Sequence, residues 1–151
     1  MHSAAQSQTV RIRAATEDDA ARIAELSGQL GYPSTREDIL RRMRSLAPAA
    51  SHALMVAETP GVDVIGWVHV SVNPLVESDL RAEINGLVVA EGQRSLGAGR
   101  LLLEEAERWA RGHGCRTVSL RSNVIRDRAH KFYECNGYEH YKTQKSFRKP
   151  L

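Results

Sequence analysis

The stretch "AEINGLVVAEGQRSLGAGRLLLEEAERWARGHGC", residues 82–115, decides the fold. Its first third is apolar with polar interruptions, which reads as a strand over 82–90. Its last half repeats apolar residues at helical spacing and closes at Gly112 and Gly114, which reads as the longest helix of the chain. Between them lie Arg94, Ser95, Leu96, Gly97, Ala98, Gly99 and Arg100. A helix N-terminus carries about half a positive charge and several unpaired N–H groups. Glycines there let an anion approach the backbone closely. The segment therefore reads either as an anion-binding nest or as a glycine-rich turn that binds nothing.

Two nucleotide motifs fail on the same residues. A dinucleotide fingerprint needs a third glycine where Leu102 stands, and an acid about 20 residues on, where "VSLRS" lies. Gly92 and Gly97 have the spacing of a phosphate-binding nucleotide loop. Ala98 and Gly99 occupy the places of its lysine and its magnesium-binding hydroxyl.

Working outward, "TVRIRAA" (9–15) alternates as a strand, and Thr16 caps a helix over 16–30 with acids in its first turn. Gly31 stops it. Ser34 or Thr35 caps a second helix carrying Ile39, Leu40, Met43 and Leu46. "HALMVAET" and "VIGWVHVSV" read as a hairpin across "PGVD". After the long helix come a strand at "CRTVSLRS", a helix at "RDRAHKFYECNG" and a final strand or hairpin at "YEHYKTQKSFRK". The expected order is β-α-α-β-β-β-α-β-α-β(-β), an α/β domain over 9–151 after a disordered segment at 1–8.

Composition bounds the rest. A chain of 151 residues makes one domain that buries roughly 70% of its unfolded surface. The net charge of +3 is spread along the sequence, and only two phenylalanines are present. That suits an anionic ligand and argues against nucleic acid as a partner. Cys115 and Cys135 have neither metal-ligand spacing nor a disulfide framework, so no metal is expected. No apolar run of membrane-spanning length or secretory leader is legible, and the expectation is a cytoplasmic protein without a membrane partner.

Arginine-x-x-glycine-x-glycine after an apolar strand, followed by "FYECNGYEHY" with Tyr133, Gly137 and Tyr138, resembles the GNAT N-acetyltransferases along nearly the whole chain. Within that family, "RSNVIRDRAHKFYECNGYEH" looks most like the aminoalkylphosphonate N-acetyltransferases, a likeness of the second half that carries no substrate. The resemblance implies the GNAT fold, with a mixed central sheet of six to seven strands flanked by four helices. It also implies acetyl transfer from acetyl-CoA to an amine, with residues 94–100 on the coenzyme pyrophosphate. Compatible alternatives are an acetyl-CoA sensor without turnover and acetylation of a protein N-terminus or lysine. A homodimer is compatible with it as well.

The family pattern assigns roles by position. Glu83, eleven residues before Arg94, is the expected general base, with His69 and His130 as rivals. Strand alternation puts Glu83, Asn85 and Leu87 on one face. Backbone N–H groups of Leu87, Val88 and Val89 are expected to meet the thioester oxygen and the pantetheine amides. Tyr133 is the expected proton donor to the departing thiolate, and Ala129, one turn earlier, leaves room for the coenzyme. The chain departs from the family at Arg126, where many members have an asparagine that bonds pantetheine. Asn123 is the expected substitute, with Arg126 or Arg128 reaching phosphate oxygens. "GQLGYPSTRED" is expected to shape the acceptor site, and Arg36, Arg41, Arg42 and Arg44 to draw an acidic acceptor. A small-molecule amine is the favoured substrate.

Overall fold

The computed structural model describes residues 9–151; the disordered segment expected at 1–8 lies outside the described residues. The chain forms two compact units, one running through Arg121 and the other spanning Ser122–Leu151. In the first, β1 (Arg11–Ala14), β2 (His52–Thr59), β3 (Val62–Leu75), β4 (Ser78–Val89) and β5 (Val118–Leu120) form one sheet in the order β1-β2-β3-β4-β5. The first four strands are antiparallel and β5 joins β4 in parallel. Helices α1 (Ala20–Gln29), α2 (Arg36–Leu46) and α3 (Ala98–Gly112) complete this unit.

The helices start and stop for local reasons. Thr16 precedes a short 3-10 turn, Glu17–Asp19, and its N–H donates to Asp19 Oδ2 at 2.8 Å. Gly31 follows α1 with φ 83°, a conformation that costs glycine nothing. Of the two candidate caps for α2, Thr35 is the one used: its hydroxyl accepts from Asp38 N–H at 3.1 Å and Asp38 returns the bond.

Each sheet face has its own cover. Ile23, Leu26, Ile39 and Leu40 cluster with Val56, Val64 and Val88. Leu102, Leu103, Ala106 and Ala110 make the buried stripe of α3, and Leu102 reaches the sheet at Gly66, where an added Cβ would lie 3.2 Å from its methyl. Burying each leucine fully is worth about 1.5–3 kcal/mol.

Arg13 ties β1 to its neighbours. Its guanidinium donates to both carboxylate oxygens of Asp19, at 2.8 and 2.9 Å, and to Glu58 at 3.0 Å. Asp19 is 6% exposed. Its hydrogen bond from Arg13 holds its carboxyl below the usual value, against the opposing effect of burial. A depressed folded-state pKa gives stability that is present above the unfolded value and lost as pH falls through the folded one. Asp19→Asn is therefore expected to cost about 2–4 kcal/mol at neutral pH and progressively less in acid. Urea midpoints at pH 7 and pH 3 for both proteins check this.

Three expectations are corrected. The sheet has five strands, where six to seven were expected, because "YEHYKTQKSFRK" is not a strand. Residues 139–149 are exposed, with Tyr141 and Phe147 as their lone large apolar side chains, too few to bury a strand face. In the opposite direction, β3 and β4 run on through Asn73–Arg81 as a ribbon turning at Val76 and Glu77, beyond the strands expected over 64–72 and 82–90. Finally, β4 is bulged at Asn85: His69 pairs with Gly86, but Val70 pairs with Ile84. One extra residue reverses the alternation. Glu83 thus shares a face with Gly86 and Val88, and Leu87 lies on the other face with Ile84.

The second unit holds α4 (Asp127–Cys135), the fourth helix. Gly137 ends it with φ 90°, and the N–H of Tyr138 returns to Tyr133 O at 3.0 Å. Among the described residues no helix is long and apolar enough to cross a membrane.

Candidate functional site

The strand before the glycines is paired on one side and open on the other. β4 meets β5 only over Ala82–Ile84. From Gly86 to Val89 it keeps β3 but has no strand on its other side among the described residues. The backbone of Leu87–Val89 is therefore an unpaired edge, able to receive an extended amide-bearing ligand as an added strand.

β4 leads into a 3-10 turn over Glu91–Leu96, then Gly97 at φ 78°, then α3. A Cβ at Gly97 would meet nothing within 4 Å. Its backbone angle, not crowding, is what calls for glycine. Arg94 and Arg100 are exposed beside the first turn of α3, whose N–H groups have no partner further back in the helix. Arg100 also pairs with Glu104 at 3.4 Å. Positive side chains, a helix N-terminus and open space at a glycine together favour an anion with several oxygens.

Glu83 sits at the other end of this strand with its side chain 17% exposed. Arg121, 78% exposed and just beyond β5, donates from Nε to Glu83 Oε1 at 2.9 Å, and its Nη2 lies 2.9 Å from the same oxygen. These two contacts of Arg121 both fall on Oε1 of this carboxylate.

The same face carries polar groups that strand periodicity did not single out. His52 Nδ1 lies 3.0 Å from His69 Nε2, with the rings stacked. Burial, and then the neighbouring His52, hold His69 below the ordinary imidazole value. Asn85 donates to Ser71 Oγ at 2.8 Å. The Trp67 ring covers Gly86, where a Cβ would fall 2.6 Å from it, and its buried Nε1 has no acceptor among the described residues. A regular hairpin closed at Pro60-Gly61 sets His52 opposite His69. Register shifts between Ala57 and Thr59 move His52 to Ser71, so the contact is diagonal and could have been anticipated only in part.

The arginines expected to attract an acidic acceptor are largely engaged. Arg41 pairs with Asp38 at 3.2 Å, Arg44 with Glu17 at 2.7 Å and Arg36 with Glu37 at 3.9 Å, while Arg42 donates to Ser34 Oγ at 2.9 Å.

In the second unit, Tyr133 and Ala129 are half-buried on α4. Burial pushes the Tyr133 phenol above its ordinary value, opposed by the positive charge of Arg126. The rings of Tyr133 and Tyr138 meet edge to face at 6.0 Å. Asn123 Oδ1 accepts from Ile125 N–H at 3.1 Å, and its carbonyl bonds His130 Nε2 at 2.8 Å. Asn123 thus shapes the entry to α4, and His130 is committed to it. Arg126 and Arg128 are exposed. Among the described residues no group of three or more His, Cys, Asp or Glu side chains is placed to hold a metal ion.

The model of the acetyltransferase (GNAT) family matches residues 17–138. Aminoglycoside N(6')-acetyltransferase type 1 of Klebsiella aerogenes is 28% identical over 102 residues, covering 66% of this chain and 67% of that protein. Among solved structures, aminoglycoside N-acetyltransferase AAC(6')-Iy in complex with CoA superposes with TM-score 0.83 at 20% identity, over 95% of this chain and 97% of that one. Glucosamine-6-phosphate N-acetyltransferase from Arabidopsis thaliana gives 0.80 at 24% identity, over 93% and 98%.

Proposed function

The chain belongs to the GNAT acetyltransferase family, and from that premise we propose that it moves the acetyl group of acetyl-CoA to a primary amine of a small molecule, by direct attack in a ternary complex. The observation that carries the reading is the open edge of β4 running straight into Gly97 and the N-terminus of α3. That continuity fits the two ends of one ligand, amides first and pyrophosphate second. Residues 9–151 are read as a single acetyltransferase domain, and the family match runs through both compact units.

Acetyl-CoA supplies the activated acyl group, and the chain's own residues supply the rest. A primary alkyl ammonium with pKa near 10 has almost no free base at neutral pH. The Glu83 carboxylate is the proposed acceptor of its proton. As the amine attacks, charge grows on the thioester oxygen, and N–H groups of Leu87–Val89 are the proposed donors to it. Such a donor is worth about 3 kcal/mol. Tyr133 is the proposed donor to the departing sulfur. Its raised pKa keeps the phenol protonated at neutral pH, as a general acid requires. Arg94, Ser95, Leu96, Gly97, Ala98, Gly99 and Arg100 form the proposed pyrophosphate loop, while Asn123 and Arg126 are the proposed coenzyme contacts of the second unit.

The acceptor class follows from similarity. The Klebsiella aerogenes relative is an acetyltransferase of aminoglycosides, and small polar amines of that kind head the panel to be tested. Mass spectrometry of an amine panel incubated with acetyl-CoA and the protein should reveal an acetylated small molecule. Acetylation confined to protein lysines or N-termini would replace this reading.

The loop has its own test. Gly97→Asp places a carboxylate where the pyrophosphate is proposed to sit, and should weaken acetyl-CoA binding at least about tenfold. Gly97→Asn tolerates the same backbone angle without the charge and should stay near wild type, each variant losing about 1 kcal/mol of stability. Calorimetry showing equal affinity for both would remove the assignment.

A further inference from the structure

The backbone of β4 changes sides along its length. Ala82 N–H donates to Thr117 O at 3.1 Å, toward β5, whereas Ala90 N–H donates to Ile65 O at 2.7 Å, toward β3. In a regular strand the N–H groups alternate between the two edges, so residues an even number apart face the same edge. Ala82 and Ala90 are an even number apart and face opposite edges, because the bulge at Asn85 inserts one residue between them. Counted back from Ala90, the N–H of Val88 faces β3, and those of Leu87 and Val89 face the open edge. Without the bulge the assignment reverses, and Val88 would face that edge instead.

We infer that Asn85 is a positioning residue: its side-chain bond to Ser71 holds the bulge and so selects Leu87 and Val89 as the N–H groups offered to acetyl-CoA. This deepens the acetyl-transfer reading and rests on it. Asn85 is the residue that β3 skips, since Val70 pairs with Ile84 and His69 with Gly86. Its Nδ2 donates across to Ser71 Oγ at 2.8 Å and along its own strand to Glu83 O at 3.3 Å. Ser71 is 1% exposed and stands opposite Glu83 in register, which makes its hydroxyl a fixed anchor. Gly86, the next residue, carries no side chain, so the polar tie at the bulge comes from Asn85.

The unbulged register is a real competitor. Continuing the Val70–Ile84 pairing without a skip would set Asn85 opposite His69, Leu87 opposite Trp67 and Val88 opposite Gly66. Both sheet faces are apolar here, so exchanging Leu87 for Val88 across them discriminates weakly between the two registers. Two contacts favour the bulge. The Trp67 ring lies over Gly86 and leaves no room for a Cβ there, which disfavours bringing Asn85 into the row of His69. The amide of Asn85 on Ser71 is the other, and it can be removed without disturbing the packing, because Asn85 is exposed. Asn85 makes its contribution through the backbone it holds, not through contact with the reacting atoms.

Amide hydrogen exchange in the protein without coenzyme reads the register independently of turnover. In the wild type the Val88 amide should be protected, and those of Leu87 and Val89 should exchange fast. In Asn85→Ala this contrast should shrink about five- to tenfold, the size of one neutral hydrogen bond, and kcat should fall by a similar factor with the KM for the amine unchanged. Asn85→Asp, to which the Ser71 hydroxyl can donate, should keep most of the contrast and of the rate. Asn85→Ala combined with Ser71→Ala should lose no more than the worse single variant, because both remove the same bond. Wild-type exchange contrast and kcat in Asn85→Ala overturn the inference. So does a double variant whose losses add, which would leave two separate packing effects. Absence of amine-dependent turnover in the wild type overturns the acetyl-transfer reading, and the hold of Asn85 on the bulge then stands or falls on the exchange contrast.

Discussion

Glu83→Gln is expected to lower kcat/KM for the amine about 100-fold or more, with coenzyme affinity unchanged. Glutamine keeps the shape of the side chain and can still accept from Arg121 through Oε1, so the strand should stay in place. What it loses is the carboxylate charge and with it the ability to hold the amine's proton. Without a base, only amine that is already neutral can attack, and that fraction grows tenfold per pH unit up to about pH 10. The variant's rate should therefore climb steeply with pH and approach wild type in alkali. Steady-state kinetics from pH 6 to pH 10 measure this directly. A variant with wild-type kcat/KM at neutral pH would move the base away from Glu83.

Tyr133→Phe is expected to reduce turnover roughly 10- to 10³-fold, the range for a lost general acid. The ring remains, so its edge contact with Tyr138 is kept and the melting temperature should hold within a few degrees. The loss should fall on kcat, since a bond to sulfur strengthens only as the C–S bond breaks. A thioester whose thiol has a low pKa should recover much of the rate. The pH dependence has a definite sign. A general acid acts while protonated, and burial raises this phenol above its ordinary value. Wild type should then show no loss from this group below about pH 10. Full turnover in the phenylalanine variant would return Tyr133 to the role of a packed aromatic.

How far the sequence carries is clearest at β4 and α3. An apolar strand, a pair of glycines and the stripe of Leu102, Leu103, Ala106 and Ala110 are local signals, and local signals survive folding. The bulge at Asn85 is not local. It depends on which β3 residue pairs with which β4 residue, and one unpaired residue moved Leu87 to the opposite face from Glu83. The β3–β4 ribbon was missed for a related reason. Its backbone hydrogen bonds hold Asn73–Arg81 extended with little help from apolar side chains. At the other end of the chain, the final strand or hairpin expected at "YEHYKTQKSFRK" does not form among the described residues.

The site divides in the same way. Gly97 was legible because a positive φ leaves a residue signature. Arg121 was not, because an ion pair between β4 and β5 is fixed by the parallel register of those strands. The diagonal contact of His52 with His69 follows from two register shifts that no single-strand pattern encodes.

The central claim, that this chain transfers acetyl groups from acetyl-CoA to small amines, is tested most directly by the initial rate of thiol release from acetyl-CoA as the amine concentration is raised. The account predicts release that depends on the amine, saturates with it, and falls together with acetylated product in Glu83→Gln and Tyr133→Phe. Thiol release no faster with amines than without them, in protein that binds acetyl-CoA, would contradict it and leave a coenzyme-binding module that does not turn over.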